Sequence, residues 1–140
     1  MDGTLTYPGS IDFALMRRRI GIPPGHDILS DIKRLLPVES QPSAVRVVEE
    51  EEAKGLDRMK LMPGLVEVVQ QLKRKRIKCA IATRNVKAGV DRFMELGHFT
   101  EHHFDPILTR DFAHNKPDPK VAEHVANVAW GCETERIAFV

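Results

Sequence analysis

Cysteine is almost missing from this 140-residue chain: there are only Cys79 and Cys132. They lie far apart, so neither a disulfide framework nor a CxxC metal or redox pair can be built, and a reducing, cytosol-like compartment is implied. Net charge is lacking as well. Twenty-one Lys and Arg stand against 20 Asp and Glu, a formal charge of +1. Without a field of one sign, nothing draws the chain to nucleic acid or to an anionic membrane, and neither is expected as a partner. No apolar run reaches the roughly 20 residues of a membrane span. The basic-then-apolar layout of a secretory signal is missing too, so a cytoplasmic location is expected, an organelle entering only if a transit peptide precedes a longer precursor. There is no internal repeat and no low-complexity tract. What remains is 42% hydrophobic and 29% charged, the balance of one soluble domain that buries about two-thirds of its unfolded surface.

Two rhythms divide the chain. Residues 7–62 read as helices and loops. "SIDFALMRRRIG" carries Ile11, Leu15 and Ile20 at near-helical spacing and stops at Gly21. "PPGHDILSDIKRLLP" gathers Ile28, Leu29, Ile32, Leu35 and Leu36 on one face, and "SAVRVVEEEEAKG" reads as a third helix that stops at Gly55. From Met62 onward, helices and strands alternate. "PGLVEVVQQLKRKR" puts Leu65, Val68, Val69 and Leu72 on a stripe, with cations at the end the helix dipole favours. "IKCAIAT" is a near-continuous apolar run, as in a strand covered on both faces. "KAGVDRFMELG" is a helix ending at Gly97, "FDPILTRD" a short strand, and "DPKVAEHVANVAWG" a helix capped by Asp118 with Gly131 past its end. "RIAFV" closes the series as another buried-type strand. This alternation predicts a parallel sheet flanked by helices.

Three polar groups stand in order: Asp2-Gly3-Thr4-Leu5-Thr6 at the start, Thr83-Arg84-Asn85 after an apolar strand, and Lys116-Pro117-Asp118-Pro119 before a helix. Together they resemble the haloacid dehalogenase-like (HAD) hydrolases, in particular the phosphatases similar to phosphoglycolate phosphatase. The resemblance implies an α/β fold: a HAD-type Rossmann-like parallel sheet core, residues 1–6 and 63–140, with a small helical cap, residues 7–62, the first strand and the last motif missing. It places the polar groups at the C-terminal edge of the strands, where open α/β sheets bind ligands. It implies hydrolysis of a small phosphomonoester, phosphoglycolate-like first, through an aspartyl-phosphate. Asp2 would be the general acid/base, Thr83 and Lys116 would hold phosphate, and Arg84 and Asn85 are further candidates for phosphate binding. Magnesium is the implied cofactor and a small phosphorylated metabolite the implied partner.

The resemblance also has gaps. The family's nucleophile stands two residues before Asp2, and its last acidic motif follows the strand that matches "RIAFV"; neither is among these residues. Of the family's Mg²⁺ ligands only the backbone carbonyl of Asp2 remains, and one carbonyl does not make a hard-cation site. Loss of a nucleophile typically removes on the order of 10⁴ to 10⁶ in rate. This chain by itself is therefore expected to be inactive, and the alternative reading is a catalytically silent form acting as a binding or regulatory module. The other conspicuous residues read as structural. "EEEE" at 49–52 and "RRR" at 17–19 are expected as solvated surface, "KRKR" at 73–76 as helix-end charge, and His98, His102 and His103 as satisfied or exposed side chains. Cys79 reads as a small hydrophobe and Trp130 as packing.

Overall fold

A computed structural model describes residues 1–25 and 27–140. His26, inside the stretch 23–37 read as a helix, lies outside the described residues. The chain divides into two compact units, Pro8–Met59 and a second made of Met1–Tyr7 with Lys60–Val140.

The first unit is helical. Helix α1 (Phe13–Ile20) starts where the Asp12 side chain accepts the Leu15 N–H at 2.8 Å, and it ends at Gly21. Helix α2 (Ile28–Leu35) starts in the same way, Asp27 accepting from Ser30 at 2.8 Å. Both pack on the long helix α3 (Gln41–Arg58). Met16, Ile22, Ile32, Ala44 and Val48 form the core between them.

Gly55 does not stop α3, which runs on to Arg58. A Cβ on Gly55 would lie 2.7 Å from Ile11 Cγ1 and 3.3 Å from the Ser10 carbonyl oxygen. The residue is small because another segment crosses there, and helix hydrogen bonding carries on through it. The buried face of α3 is Ala44, Val48, Glu51 and Gly55, at helical spacing. Glu51 is therefore not solvated surface: it is 1% exposed. Its carboxylate accepts from Arg19 at 2.6 Å and from Lys54 at 2.9 Å. The "RRR" stretch is likewise structural. Arg17 is buried, donating to Asp31 at 2.9 Å and to the Pro23 carbonyl at 2.6 Å, while Arg19 also reaches Glu50.

The second unit is α/β. Helix α4 (Leu65–Arg74) buries Leu65 and Val69, whereas Val68 points outward, off the expected stripe. Strands β1 (Ile81–Ala82) and β2 (Ile107–Leu108) pair in parallel, Ile81 opposite Ile107. Helix α5 (Lys87–Leu96) crosses between them, as a parallel pair requires. The ladder continues past the regular strands: Asp105 N–H donates to Cys79, Ile81 to Pro106 and Thr83 to Leu108. The last helix begins as α6 (Lys120–Glu123) and widens into a π-helical run, His124–Trp130, before Gly131. Its N-cap is Pro119, not the expected Asp118, which sits one residue ahead and accepts the Lys120 N–H at 3.0 Å. Phe93, Phe99 and Phe104 pack ring against ring with centroids 5.3–5.8 Å apart. Trp130 packs at the edge, its Nε1 donating to the Asp105 carbonyl at 2.7 Å.

Two expected strands come out differently. The run 77–83 is regular only at Ile81–Ala82. "RIAFV" is no strand: Thr134–Arg136 form a 3₁₀ turn, and Phe139 and Val140 are 60% and 93% exposed. A strand needs a neighbour to take up its N–H and C=O groups. The sheet of the described residues holds β1 and β2 alone, and residues 137–140 pair with neither. With no ladder to join, an apolar run does not become a strand.

Candidate functional site

The three polar groups all belong to the α/β unit. Asp2 sits in a tight loop wound on one carbonyl: the Met1 C=O accepts from Thr4, Leu5 and Thr6 at 2.8–3.2 Å. Gly3 returns an N–H to the Thr6 carbonyl with φ +78°, left-handed backbone that a side chain would strain. The loop is anchored by an antiparallel bridge from Thr6 to Leu61. Thr6 is fully buried, and its Oγ1 donates to Asp2 Oδ1 at 3.1 Å. The second oxygen, Asp2 Oδ2, accepts from Asn85 Nδ2 at 3.3 Å. An exposed carboxylate is thus fixed through both of its oxygens.

Thr83 follows β1 directly, and its N–H continues the ladder to Leu108 at 2.8 Å. Its side chain is buried, and Oγ1 accepts the Asn85 N–H at 3.1 Å. Asn85 therefore joins Asp2 to Thr83. Lys116, half-buried, is linked to the others through charge. Burial holds its ammonium below the usual lysine range, and repulsion from Arg84 pushes the same way. Lys116 Nζ also lies 5.6 Å from the centroid of the Phe139 ring. Asp118 stays with the start of the last helix: the Lys120 N–H, then His114 at 3.0 Å, hold its carboxyl below the usual carboxylate range.

Two residues that the sequence reading passed over complete the geometry. Arg110 donates its N–H to the Asn85 carbonyl at 3.1 Å and its Nε to the Arg84 carbonyl at 3.0 Å. Asn115 donates to the Arg110 carbonyl at 3.2 Å. Neither has a sequence signal of its own, because each acts on backbone that only the folded chain brings near.

The cluster suits an anion. Lys116 and Arg84 bring two like charges near one another, an arrangement that a nearby negative charge would offset. It does not suit a divalent metal ion built from this chain alone. Among the described residues no three His, Cys, Asp or Glu side chains gather. Asp2, the carboxylate of the turn, is already bonded to Thr6 and Asn85. Mg²⁺ asks for an octahedral oxygen shell that these residues do not complete.

The model of the haloacid dehalogenase-like hydrolase family matches residues 7–140. The chain is 34% identical, over its whole length, to a haloacid dehalogenase-like hydrolase domain-containing protein of Arabidopsis thaliana. It is 37% identical, over 91% of its length, to an uncharacterized hydrolase of Saccharomyces cerevisiae. It spans 59% of the length of each relative. The chain belongs to the haloacid dehalogenase-like hydrolase family. The Asp2 loop lies just ahead of the matched stretch.

Proposed function

We propose that this chain carries the phosphate pocket of a phosphatase that hydrolyses a small phosphomonoester, phosphoglycolate-like first, through an aspartyl-phosphate. The observation that supports this best is the joining of Asp2 and Thr83 through Asn85. In this reading Thr83, whose Oγ1 already accepts from Asn85, donates its hydroxyl proton to a phosphate oxygen. Lys116 and Arg84 offset the phosphate charge. Asp2, held in place by Thr6 and Asn85, protonates the leaving oxygen and afterwards takes a proton from the attacking water. The helical unit Pro8–Met59 serves as the cap that selects the substrate. Magnesium dependence belongs to the longer protein, since the ligands present here do not hold the ion.

The attacking carboxylate is expected two positions ahead of Asp2, outside these 140 residues. The chain by itself is then a phosphate binder with little turnover. The test compares this chain with a form extended at both ends, on p-nitrophenyl phosphate with Mg²⁺. The extended form is expected to be faster by at least about 10⁴, the usual cost of a missing nucleophile. Equal turnover by the two forms would overturn the assignment.

A further inference from the structure

The strongest unassigned feature of the site is the residue that ties two of its loops together through both its backbone and its side chain. Arg110 follows β2, whose Leu108 accepts the Thr83 N–H. On one side it grips the loop after β1 twice, through its backbone N–H to Asn85 at 3.1 Å and through Nε to the Arg84 carbonyl at 3.0 Å. On the other side its carbonyl accepts from Asn115, the residue before Lys116, at 3.2 Å. Asn115 in turn accepts the Asp118 N–H at 2.9 Å, at the start of α6. One chain of hydrogen bonds therefore runs from the Asp2 carboxylate through Asn85 and Arg110 to the residue beside Lys116.

We propose that Arg110 is a positioning residue of this site, fastening the Thr83–Asn85 loop to the Lys116 loop so that hydroxyl, amide and ammonium address one phosphate. The inference rests on the phosphate-site reading above. The Arg84 carbonyl takes the guanidinium Nε–H, so part of the Arg110 head is spent on backbone and not on ligand. The loop it holds is the one that carries both Thr83 and the Asn85 amide on Asp2. Loose loops would have to be ordered each time phosphate bound, and that ordering cost would appear as lost affinity.

Substitution at a single position separates geometry from charge. In Arg110→Gln the amide nitrogen falls where Nε stood, keeping the donor and losing the charge. In Arg110→Lys the charge stays and the donor moves one bond further out. Arg110→Met removes both. The probe is inorganic phosphate, titrated calorimetrically into the 140-residue chain, with circular dichroism to verify folding. Lys116→Ala is expected to abolish binding. Arg110→Met and Arg110→Lys are expected to weaken it about fivefold to tenfold, the range of one lost hydrogen bond, with Arg110→Gln near the parent. The positioning role is overturned if Lys116→Ala loses phosphate while Arg110→Met keeps it. It is also overturned if Arg110→Lys binds normally and Arg110→Gln does not, which would make the charge the active feature. If the parent chain takes no phosphate, or Lys116→Ala changes nothing, the site reading fails and the positioning role with it. Should Arg110→Met not fold, Asn115→Ala cuts the same chain of hydrogen bonds at its other end and is expected to weaken phosphate about threefold; unchanged binding there counts against the role.

Discussion

The helical unit and the α/β unit solve the problem of a small core differently. Pro8–Met59 is held by an aliphatic core edged with ion pairs: Arg17 with Asp31, and Arg19 and Lys54 with Glu51. The α/β unit is held by three packed Phe rings and by Leu108 packed with Val121 and Val125 of the last helix. Its charged side chains pair along α5, Lys87 with Asp91 and Arg92 with Glu95, and other polar side chains hold the loops at the strand ends. The contrast teaches where polar groups serve structure and where they are left for chemistry. In the helical unit charged residues satisfy one another, whereas Lys116 of the α/β unit is held below the usual lysine range by burial and by the like charge of Arg84.

The largest expected effect tests this division directly. Phe93 is fully buried, and Phe93→Ala should cost about 3–5 kcal/mol, the usual range for emptying an aromatic core position. In the helical unit, Gly55→Ala forces a Cβ against Ile11. Overpacking of about 1–3 kcal/mol is offset by up to about 1 kcal/mol of helix propensity, which leaves a smaller loss. Trp130 is the single tryptophan and lies in the α/β unit. Its fluorescence in guanidinium unfolding should shift strongly for Phe93→Ala and weakly for Gly55→Ala, while far-UV circular dichroism follows both. Identical shifts by both probes for both variants would show one cooperative structure and break the comparison.

What could be read in advance follows the same line. Helices were legible because their stops and stripes are local: Gly21, Gly97 and Gly131 each act within a turn or two of chain. The placement of Thr83 after a strand and of Lys116 before a helix start was legible, because short polar signals followed or preceded recognisable elements. The larger misreadings were non-local. Gly55 resembled a stop, but it is small for the sake of Ile11. Glu51 looked like surface among four glutamates until the stripe Ala44, Val48, Glu51, Gly55 turned it inward. "RIAFV" has the composition of a strand but no ladder to join. Arg110 and Asn115 act on backbone carbonyls more than 20 and about five positions away, and no residue type announces such a role.

A second, smaller effect lies in acid. Hydrogen bonds from Arg34 and then Arg17 hold the Asp31 carboxyl below the usual range, and those from Lys54 and Arg19 do the same for Glu51. A carboxylate with a lowered folded pKa contributes stability that is present above its unfolded value and lost as pH falls through the folded one. The helical unit should therefore weaken from roughly pH 4 downward. Far-UV circular dichroism should report this loss ahead of Trp130 fluorescence. Glu51→Gln should be less stable at pH 7 and should show a flatter acid limb. An acid limb unchanged by that substitution would mean that the ion pairs do not set the difference between the units.

The smallest effect lies at the alkaline end and belongs to the α/β unit. Lys116 is lowered by burial and by Arg84, so between its folded pKa and the ordinary value near 10.4 the unfolded chain binds more protons than the folded one. Stability contributed by this site must then rise with pH through that window, opposite in origin to the carboxylate effect, because the penalty of holding a crowded ammonium disappears as it deprotonates. The group is half-exposed and solvent screens the repulsion, so the slope should be shallow. It is isolated as the difference between the parent chain and Lys116→Met, measured by guanidinium unfolding between pH 8.5 and about 10.5. Inorganic phosphate sharpens the test, since an anion beside Lys116 favours the charged form and should flatten or reverse the slope in the parent chain alone. A slope that is the same in both chains, with and without phosphate, would show that the crowding of cations at this site has no energetic consequence.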